Sequence, residues 1–146
     1  MVARQLIPGS GRTALPGLAV FCFAERVARD TSHRVLGEDG RLLLDRLRFA
    51  RRPATRLKGL LGRRSLEQGE GLGFKERSIH MLFMRMSLDI VFCDAGMRVV
   101  KVNQRLAPWR FAGCASARYV LEIGPGECER LGIRTGEHLS FEPPLT

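Results

Sequence analysis

The sequence predicts a mainly β fold, at the margin of the α+β class, arranged as a compact antiparallel β sandwich or barrel with two short helices. Three observations predict this class. Several short runs alternate apolar and polar residues, as half-buried strands do. Clusters of turn-forming residues separate these runs. The helical segments are too few and too short for βαβ crossovers, so neighbouring strands are expected to pair antiparallel.

The first strand and the first helix are predicted between residues 41 and 62. The run at 41–50, RLLLDRLRFA, alternates as a strand does. Pro53 follows, and proline is favoured in the first turn of a helix. Leucines then recur at helical spacing as far as Leu61, and Gly62 can end the helix. This segment therefore predicts a two-turn helix with a buried leucine stripe.

The middle of the chain predicts a β-hairpin. The glycine-rich stretch at 69–73 is interpreted as a loop. Two β-rich runs follow, at 78–84 and 88–94. The turn Asp94–Met97 then joins the second run to a strand that reaches residue 106, because Asp and Gly at these positions supply turn chemistry.

The C-terminal part repeats this organisation. The sequence predicts a strand at 118–123, a short helical turn at 125–131, a turn at 134–137 and a last strand at 138–142. Strands thus adjoin strands through most of the chain.

A length of 146 residues favours one domain with a short appendage. Residues 1–35 lack any sustained period and are expected to be that appendage. Disorder, a short docked helix and a start codon assigned too far upstream are the three alternatives for it. Residues 36–146 are expected to form a single β domain.

Composition and charge exclude several classes of protein. Hydrophobic residues at 45%, charged residues at 27% and a mean hydropathy of -0.08 exclude a wholly disordered chain, a collagen-like repeat and a membrane-embedded bundle. The net charge of +9 is concentrated at 41–64, which holds nine Lys and Arg residues and one acid, Asp45. This segment is a candidate for binding polyanions such as nucleic acid or an anionic membrane surface. Its candidate residues are Arg46, Arg48, Arg51, Arg52, Arg56 and Arg63.

The alternative for this arginine-rich segment is a solvated surface without a ligand. Phe49 is its only aromatic residue, whereas proteins that bind single strands interleave stacking rings with basic residues. Nucleic acid is therefore a possible but not the favoured partner.

Cysteine usage favours a reducing compartment. None of Cys22, Cys93, Cys114 and Cys128 lies in a C-x-x-C pair, and their spacing matches no zinc signature. The apolar run at 15–24 has the length of a signal-peptide core but is interrupted by Pro16 and Gly17, and it is too short to span a bilayer. We expect a cytoplasmic protein, with secretion as the alternative, and we predict no cofactor and no metal site.

The order of these blocks resembles the bacterial and archaeal family catalogued as domain of unknown function 192. The resemblance covers residues 41–141 and rests on GLLGR, SIHMLFMRMSLDIVFCDAGMRVVKV and RYVLEIGPGECERLGIRTGEHL. It implies a compact, mostly antiparallel β domain and no settled activity. Family members often carry Met-Lys-Asn-Thr and a proline in the central block. This chain has neither at Met84–Asp89, so a site that needs that asparagine cannot be present.

The richest group of chemically capable residues is the central block. If 78–84 is one strand, His80 and Met84 project from the same face and share a pocket. The candidate ligand-binding residues are His80, Met84, Arg85, Asp89, Asp94, Arg118 and Glu122. Together with Cys114, His80 and Met84 would suit a soft metal, whereas His80 with an aspartate would suit proton transfer. The structural alternative is that Met84 is core, His80 is a hydrogen-bonded imidazole and Asp94 caps the turn.

Two charged pairs lie inside apolar β runs. Arg85 and Asp89 form one pair, and Arg118 and Glu122 the other. Buried charges are usually paired, so we expect a semi-buried ionic network that orients the strands. The functional alternative is an anion pocket with the two arginines as bidentate donors.

No established catalytic motif occurs in the chain. His80 with Cys114 or Asp89 gives only a weak candidate for catalysis. The sequence therefore favours a non-catalytic module that binds a small ligand or a protein. Polyanion binding through residues 46–64 is the first alternative, and a minor enzyme is the second.

Overall fold

A computed structural model of the chain describes residues 32–50 and 60–145. The described residues form nine strands and one short helix, α1. Their bounds are β1 Ser32–Leu36, β2 Leu42–Phe49, β3 Glu70–Phe74, β4 Ser78–His80, β5 Leu88–Cys93, β6 Val99–Leu106, β7 Phe111–Gly113, β8 Tyr119–Ile123, α1 Glu127–Leu131 and β9 Ser140–Glu142. The predicted mainly β class is confirmed.

Seven strands form one sheet in the order β6-β5-β8-β3-β2-β1-β9, and β4 pairs with β7 in a second, two-stranded sheet. All neighbouring pairs are antiparallel except β2 and β3, which are parallel. A bridge between Arg98 and His138 links the segments that precede the two edge strands, β6 and β9. The sheet is therefore mixed but mostly antiparallel, in agreement with the predicted class, and it is not a closed barrel.

Strand β3 corrects the prediction of a glycine-rich loop at 69–73. It is buried along its whole length, between β2 on one side and β8 on the other. Its glycines have no side chain, and Leu47 and Phe49 of β2 occupy the space that a Cβ at Gly71 or Gly73 would need. Because these two positions carry no apolar side chain, the period-2 signal of a strand is missing from the sequence.

Strand β4 is shorter than the predicted strand at 78–84. It ends at His80, and the chain then turns, with Phe83 at a φ of 62°. The side chains after His80 therefore do not alternate as strand residues would. The sequence analysis also missed β7, which has only three residues and contains Gly113.

The core lies on both faces of the large sheet. The residues of β5 alternate between the two buried clusters on these faces. Leu88, Ile90 and Phe92 belong to one buried cluster, and Val91 and Cys93 belong to the other. All six residues of β5 are buried. The β4–β7 sheet covers the face of Leu88, and α1 covers the face of Val91, since Ile79 and Cys128 belong to those clusters.

The remaining predictions have mixed outcomes. The strand at 41–50, the turn after Asp94 and the short helix at 125–131 are confirmed, and Gly132 ends α1 at a φ of 66°. Strand β1 begins at Ser32, so the sheet includes four residues that the sequence analysis assigned to the appendage. Most of the helix predicted after Pro53 and the apolar run at 15–24 lie outside the described residues. Among the residues that are described, no helix is long and apolar enough to cross a membrane.

Candidate functional site

The β4–β7 sheet presents one inner and one outer face. Ile79 of β4 pairs with Ala112 of β7, and Ile79 is buried in the core. His80 pairs with Phe111, and both are exposed on the outer face, with 6.4 Å between their ring centroids. Alternation along these short strands therefore directs an imidazole and a phenyl ring to solvent.

Two backbone hydrogen bonds join the loops that continue from this sheet. The Met81 N–H donates to the Arg110 carbonyl at 2.8 Å, and the Trp109 N–H donates to the Met81 carbonyl at 2.8 Å. These bonds hold the turn after β4 against the residues that precede β7. As a result, the rings of Phe83 and Trp109 contact each other edge to face, with 4.9 Å between their centroids.

Phe83 and Trp109 have an uncommon backbone conformation. Their φ values are 62° and 65°, in the left-handed region that bulky residues rarely adopt. Such a conformation costs about 1 kcal/mol or more at a residue other than glycine. Phe83, Trp109 and Phe111 are nevertheless 63%, 58% and 69% exposed, so little burial offsets this cost. We call His80, Phe83, Trp109 and Phe111 the aromatic patch.

The sequence does not predict Phe83, Trp109 or Phe111 as site residues. The only local signal is the segment APWRFAG, which places the only tryptophan of the chain beside an arginine and a phenylalanine. The contact between Phe83 and Trp109 depends on the bonds of Met81 with residues 109 and 110. This tertiary connection has no pattern in the sequence.

Basic residues flank the patch. Arg77, Arg85 and Arg110 each lie within three residues of a patch aromatic, and all three are exposed. In the part of the chain that the structure describes, none of them forms an ion pair or a side-chain hydrogen bond. We call them the flanking arginines. Glu76 is the only acid at 75–87 and 107–118, so this surface has a positive charge.

His80 and Met84 line one cavity, as the sequence predicted, but the reason differs. They meet because the chain turns after β4, not because they share a strand face. The cavity has a volume of about 20 Å³ and is lined by Leu60, Leu61, His80, Met81, Leu82, Met84 and Glu122. A volume of about 10–15 Å³ accommodates one water molecule, so this cavity is too small for a metabolite.

Asp89 lies on the opposite face of the large sheet, among the cluster of Val91 and Cys93. It is fully buried, and its carboxylate oxygens accept hydrogen bonds from two backbone amides. The Arg105 N–H donates to Oδ1 at 2.7 Å, and the Cys128 N–H donates to Oδ2 at 2.9 Å. Asp89 thus fastens the end of β6 and the first turn of α1 to β5, and it is separated from His80 by the sheet.

The predicted ionic network of Arg85, Asp89, Arg118 and Glu122 does not form as one unit. Asp89 binds backbone amides instead of Arg85. Arg85 and Arg118 are exposed and form no ion pair among the residues described, while Glu122 is buried beside the His80 cavity. The prediction was wrong because Arg85 does not lie in a strand. Strand β4 ends at His80, so the alternation of its side chains does not extend to Arg85.

Asp94 has the structural role that the sequence analysis gave as an alternative. Its Oδ1 accepts hydrogen bonds from the Gly96 N–H at 2.9 Å and the Arg98 N–H at 3.0 Å. The side chain thereby caps the turn between β5 and β6, as Asp does in turns of this kind.

The thiols differ in environment. Burial raises the pKa of Cys93 to about 12, whereas Cys114 is half-buried and a hydrogen bond with the Ser116 hydroxyl lowers its pKa. The Cys114 N–H donates to the carbonyl of Arg77, which directly precedes β4 and lies three residues before His80 in the chain. At the rise of a strand this separation is about 10 Å, so His80 and Cys114 do not form a catalytic pair in this arrangement.

No group of three or more His, Cys, Asp or Glu side chains in the described ranges, 32–50 and 60–145, is placed to hold a metal ion. Together with the separation of His80 from Cys114, the geometry gives no soft-metal site built on His80, Met84 and that thiol.

Three of the arginines that were predicted to bind polyanions are described by the structure, and each of them contacts a carboxylate. Arg46 contacts Glu67 at 2.9 Å, and Arg48 contacts Glu70 at 3.5 Å. Arg63 donates two hydrogen bonds to Glu70, at 2.6 and 2.8 Å. Arg51, Arg52 and Arg56 lie outside the described residues. The paired carboxylates reduce the charge that Arg46, Arg48 and Arg63 present to a polyanion.

The environment of Glu70 predicts that the free energy of unfolding depends on pH. Hydrogen bonds from Arg63 are the main reason that its pKa lies below the ordinary value of 4.5. A carboxylate with a lowered pKa stabilises the fold above its ordinary pKa, and this contribution is lost as pH falls through the lowered value. We expect Glu70→Gln to lower the free energy of unfolding at pH 7, and the difference from wild type to shrink as pH falls towards 3.

Urea unfolding of both proteins at several pH values measures this difference. Glu129→Gln is the matched control, because Glu129 is exposed and its nearest arginine nitrogen is 3.8 Å away. The difference in free energy of unfolding between wild type and Glu70→Gln should shrink as pH falls. A difference that stays constant or grows would contradict the stabilising role of the hydrogen bonds between Arg63 and Glu70.

Comparisons with known proteins agree with this fold. The family model of domain of unknown function 192, described as Uncharacterized ACR, matches residues 34–141. A UPF0127 protein of Pyrococcus horikoshii is 49% identical over 65 residues, which are 44% of this chain and 56% of the relative. A UPF0127 protein of Thermococcus sibiricus is 36% identical over 66 residues, 44% of this chain and 42% of the relative. The matched region thus spans about half the length of these curated relatives.

Two solved structures have a similar fold. A protein of unknown function from Novosphingobium aromaticivorans superposes with a TM-score of 0.64 at 28% identity, over 75% of this chain and 84% of that one. A putative transcription regulator from Sinorhizobium meliloti superposes with a TM-score of 0.66 at 24% identity, over 75% of this chain and 92% of that one. Since the family model covers most of the described β domain, the chain belongs to the family of domain of unknown function 192.

Proposed function

We propose that the domain is a non-catalytic binding module and that the aromatic patch is its binding surface. One observation carries this proposal. Phe83 and Trp109 contact each other on the surface while both are held at positive φ. Two exposed aromatic residues in an unfavourable conformation stabilise the fold little, and backbone strain of this kind clusters at functional sites.

The shape of the surface supports a ligand that lies on it rather than inside it. Two cavities among the described residues have volumes of about 210 and 20 Å³. Small-molecule sites usually measure about 300–1,000 Å³. None of the patch residues lines the larger cavity, which is formed by Arg64, Ser65, Leu66, Gln68, Met86, Gly124, Pro125 and Glu127.

Two observations favour this function over the alternatives. Catalysis by His80 would need a partner, but Cys114 is bonded to the backbone of Arg77, about 10 Å from His80 along an extended chain, and Asp89 lies behind the sheet. Polyanion binding through residues 46–64 would use Arg46, Arg48 and Arg63, which already contact Glu67 and Glu70.

The test uses the fluorescence of Trp109, the only tryptophan of the chain. The protein is titrated with single-stranded and duplex oligonucleotides, mononucleotides, neutral oligosaccharides and an acidic peptide. We expect at least one class to change the emission of Trp109, and Phe83→Leu to weaken that response. Leu42→Ala is the matched control, because Leu42 is exposed but lies on β2, outside the patch.

A second readout makes this test decisive. Thermal unfolding detects ligand binding anywhere on the native protein, because a ligand that binds only the native state raises its stability. A ligand that raises the unfolding temperature without changing Trp109 emission, and equally in Phe83→Leu, would place the binding surface elsewhere. No response of either readout to any class would also contradict the proposal.

A further inference from the structure

We infer that the aromatic patch binds single-stranded nucleic acid. This inference rests on the proposed function and adds the class of ligand. It depends on three properties of the patch: accessible rings, flanking arginines that have no carboxylate partner among the described residues, and the lack of a cavity large enough to enclose a base.

The rings are placed as a stacking surface. Phe111 and His80 lie side by side on the outer face of the β4–β7 sheet, and Trp109 and Phe83 contact each other in the adjoining loops, which the backbone bonds of Met81 hold together. Aromatic side chains on an exposed sheet stack on the faces of unpaired bases, and this contact tolerates any base sequence. A neutral sugar could also use the rings, but it would not need the charge around them.

The charge beside the rings distinguishes nucleic acid from other aromatic-binding ligands. Elsewhere in the described part of the chain, seven arginines are within 4.0 Å of a carboxylate. These are Arg34, Arg41, Arg46, Arg48, Arg63, Arg105 and Arg130. Four further described arginines, Arg64, Arg98, Arg118 and Arg134, have no such partner there, and neither have the flanking arginines, which are the ones that lie beside the exposed rings. Guanidinium groups without a carboxylate are available to bind phosphates.

The lack of an enclosing cavity at the patch favours an extended single strand over a mononucleotide or a duplex. The cavity beside His80 has only about 20 Å³ and cannot enclose a base. Exposed rings can stack only on bases that are not already stacked and paired, which the interior of a duplex does not offer. A single strand supplies several free bases and phosphates at once, so it can contact both the rings and the flanking arginines.

The test measures fluorescence anisotropy of a labelled single-stranded 12-mer, as DNA and as RNA, with the duplex of the same sequence for comparison. We expect the single strand to bind more tightly than the duplex. If three phosphates are contacted, the logarithm of affinity should fall with the logarithm of salt concentration with a slope of about -2. Arg110→Ala should weaken binding and reduce that slope by about 0.7.

The ring variants test base stacking. Trp109→Leu and Phe111→Leu should each lower affinity by about 10- to 100-fold, which corresponds to the loss of one stacked base. Arg134→Ala is the matched control for charge, because Arg134 is exposed, has no ion pair among the described residues and lies outside the patch. Leu42→Ala is the control for an exposed apolar side chain. Both controls should bind as wild type does.

Three outcomes would overturn the inference. The first is equal binding of duplex and single strand that is insensitive to Trp109→Leu and Phe111→Leu, which would indicate electrostatic attraction alone. The second is no oligonucleotide binding while the acidic peptide changes Trp109 emission, which would leave the proposed function standing with a protein as partner. The third is no response of the patch to any ligand class, which would remove the inference and the proposed function together.

Discussion

Asp89→Ala is expected to lower the free energy of unfolding by about 3–5 kcal/mol, since each hydrogen bond to a buried charged acceptor contributes about 1.5–3 kcal/mol. The Asp89 carboxylate accepts the N–H groups of Arg105 and Cys128, and it is fully buried. Alanine would leave both amides without an acceptor in the core. It would also release α1 and the end of β6 from β5. Urea unfolding with a constant m-value measures the effect.

Asp94→Ala is the matched control, because Asp94 also accepts two backbone hydrogen bonds but lies in a turn where water can replace them. Its expected loss is about 1 kcal/mol. Asp89→Asn, which keeps the shape and one acceptor oxygen, should fall between these two variants. A loss of less than 1 kcal/mol for Asp89→Ala would mean that the carboxylate does not fasten these elements.

Gly71→Ala is expected to lower the free energy of unfolding by about 2 kcal/mol, which is within the range for overpacking a core. A Cβ at Gly71 would lie 2.8 Å from Cδ1 of Leu47 and 3.1 Å from both the Glu122 carbonyl oxygen and Cγ2 of Ile123. These neighbours belong to β2 and β8, which flank β3 on both sides. Neither strand can move away without disturbing the sheet.

Gly96→Ala is the control for this substitution. Its Cβ would meet only Oδ1 of Asp94, at 3.5 Å, and its φ is not positive. We expect a change within about 0.5 kcal/mol at this surface position. Thermal or urea unfolding of both variants compares them, and a Gly71→Ala protein as stable as Gly96→Ala would show that β3 is not closely packed at the centre of the sheet.

The sequence predicts the strands in which apolar residues recur at strand spacing. Strands β2 and β6 carry alternating apolar and polar residues in the sequence, and the turn at Asp94 has side-chain chemistry that acts locally. Leu44 and Leu47 of β2 and Val99 of β6 are buried in the sheet. The mainly β class follows from these elements.

The part that the sequence does not predict depends on contacts between distant residues. Gly71 and Gly73 indicate a loop when they are considered alone, but β2 and β8 enclose them as a central strand. Their small size, which removes the strand signal, is also what allows Leu47 and Phe49 to pack above them. The parallel pairing of β2 and β3 has no local signal either.

The candidate site also has a part that the sequence predicts and a part that it does not. The sequence identified His80 and Met84 as neighbours, and they line one cavity. It did not identify the ring contact of Phe83 and Trp109, because that contact needs a positive φ at both residues and the hydrogen bonds of Met81. A positive φ at a phenylalanine or a tryptophan is set by the surrounding structure, since neither residue favours it.

The central claim is that the domain binds its ligand at the aromatic patch. Its most direct test is an NMR titration of the isotope-labelled protein with the unlabelled single-stranded 12-mer. We predict that the shifted amide resonances lie at residues 77–85 and 109–113, together with the unique indole N–H of Trp109. Shifts centred on the surface of Arg46, Arg48 and Arg63, with the Trp109 indole unchanged, would contradict the claim.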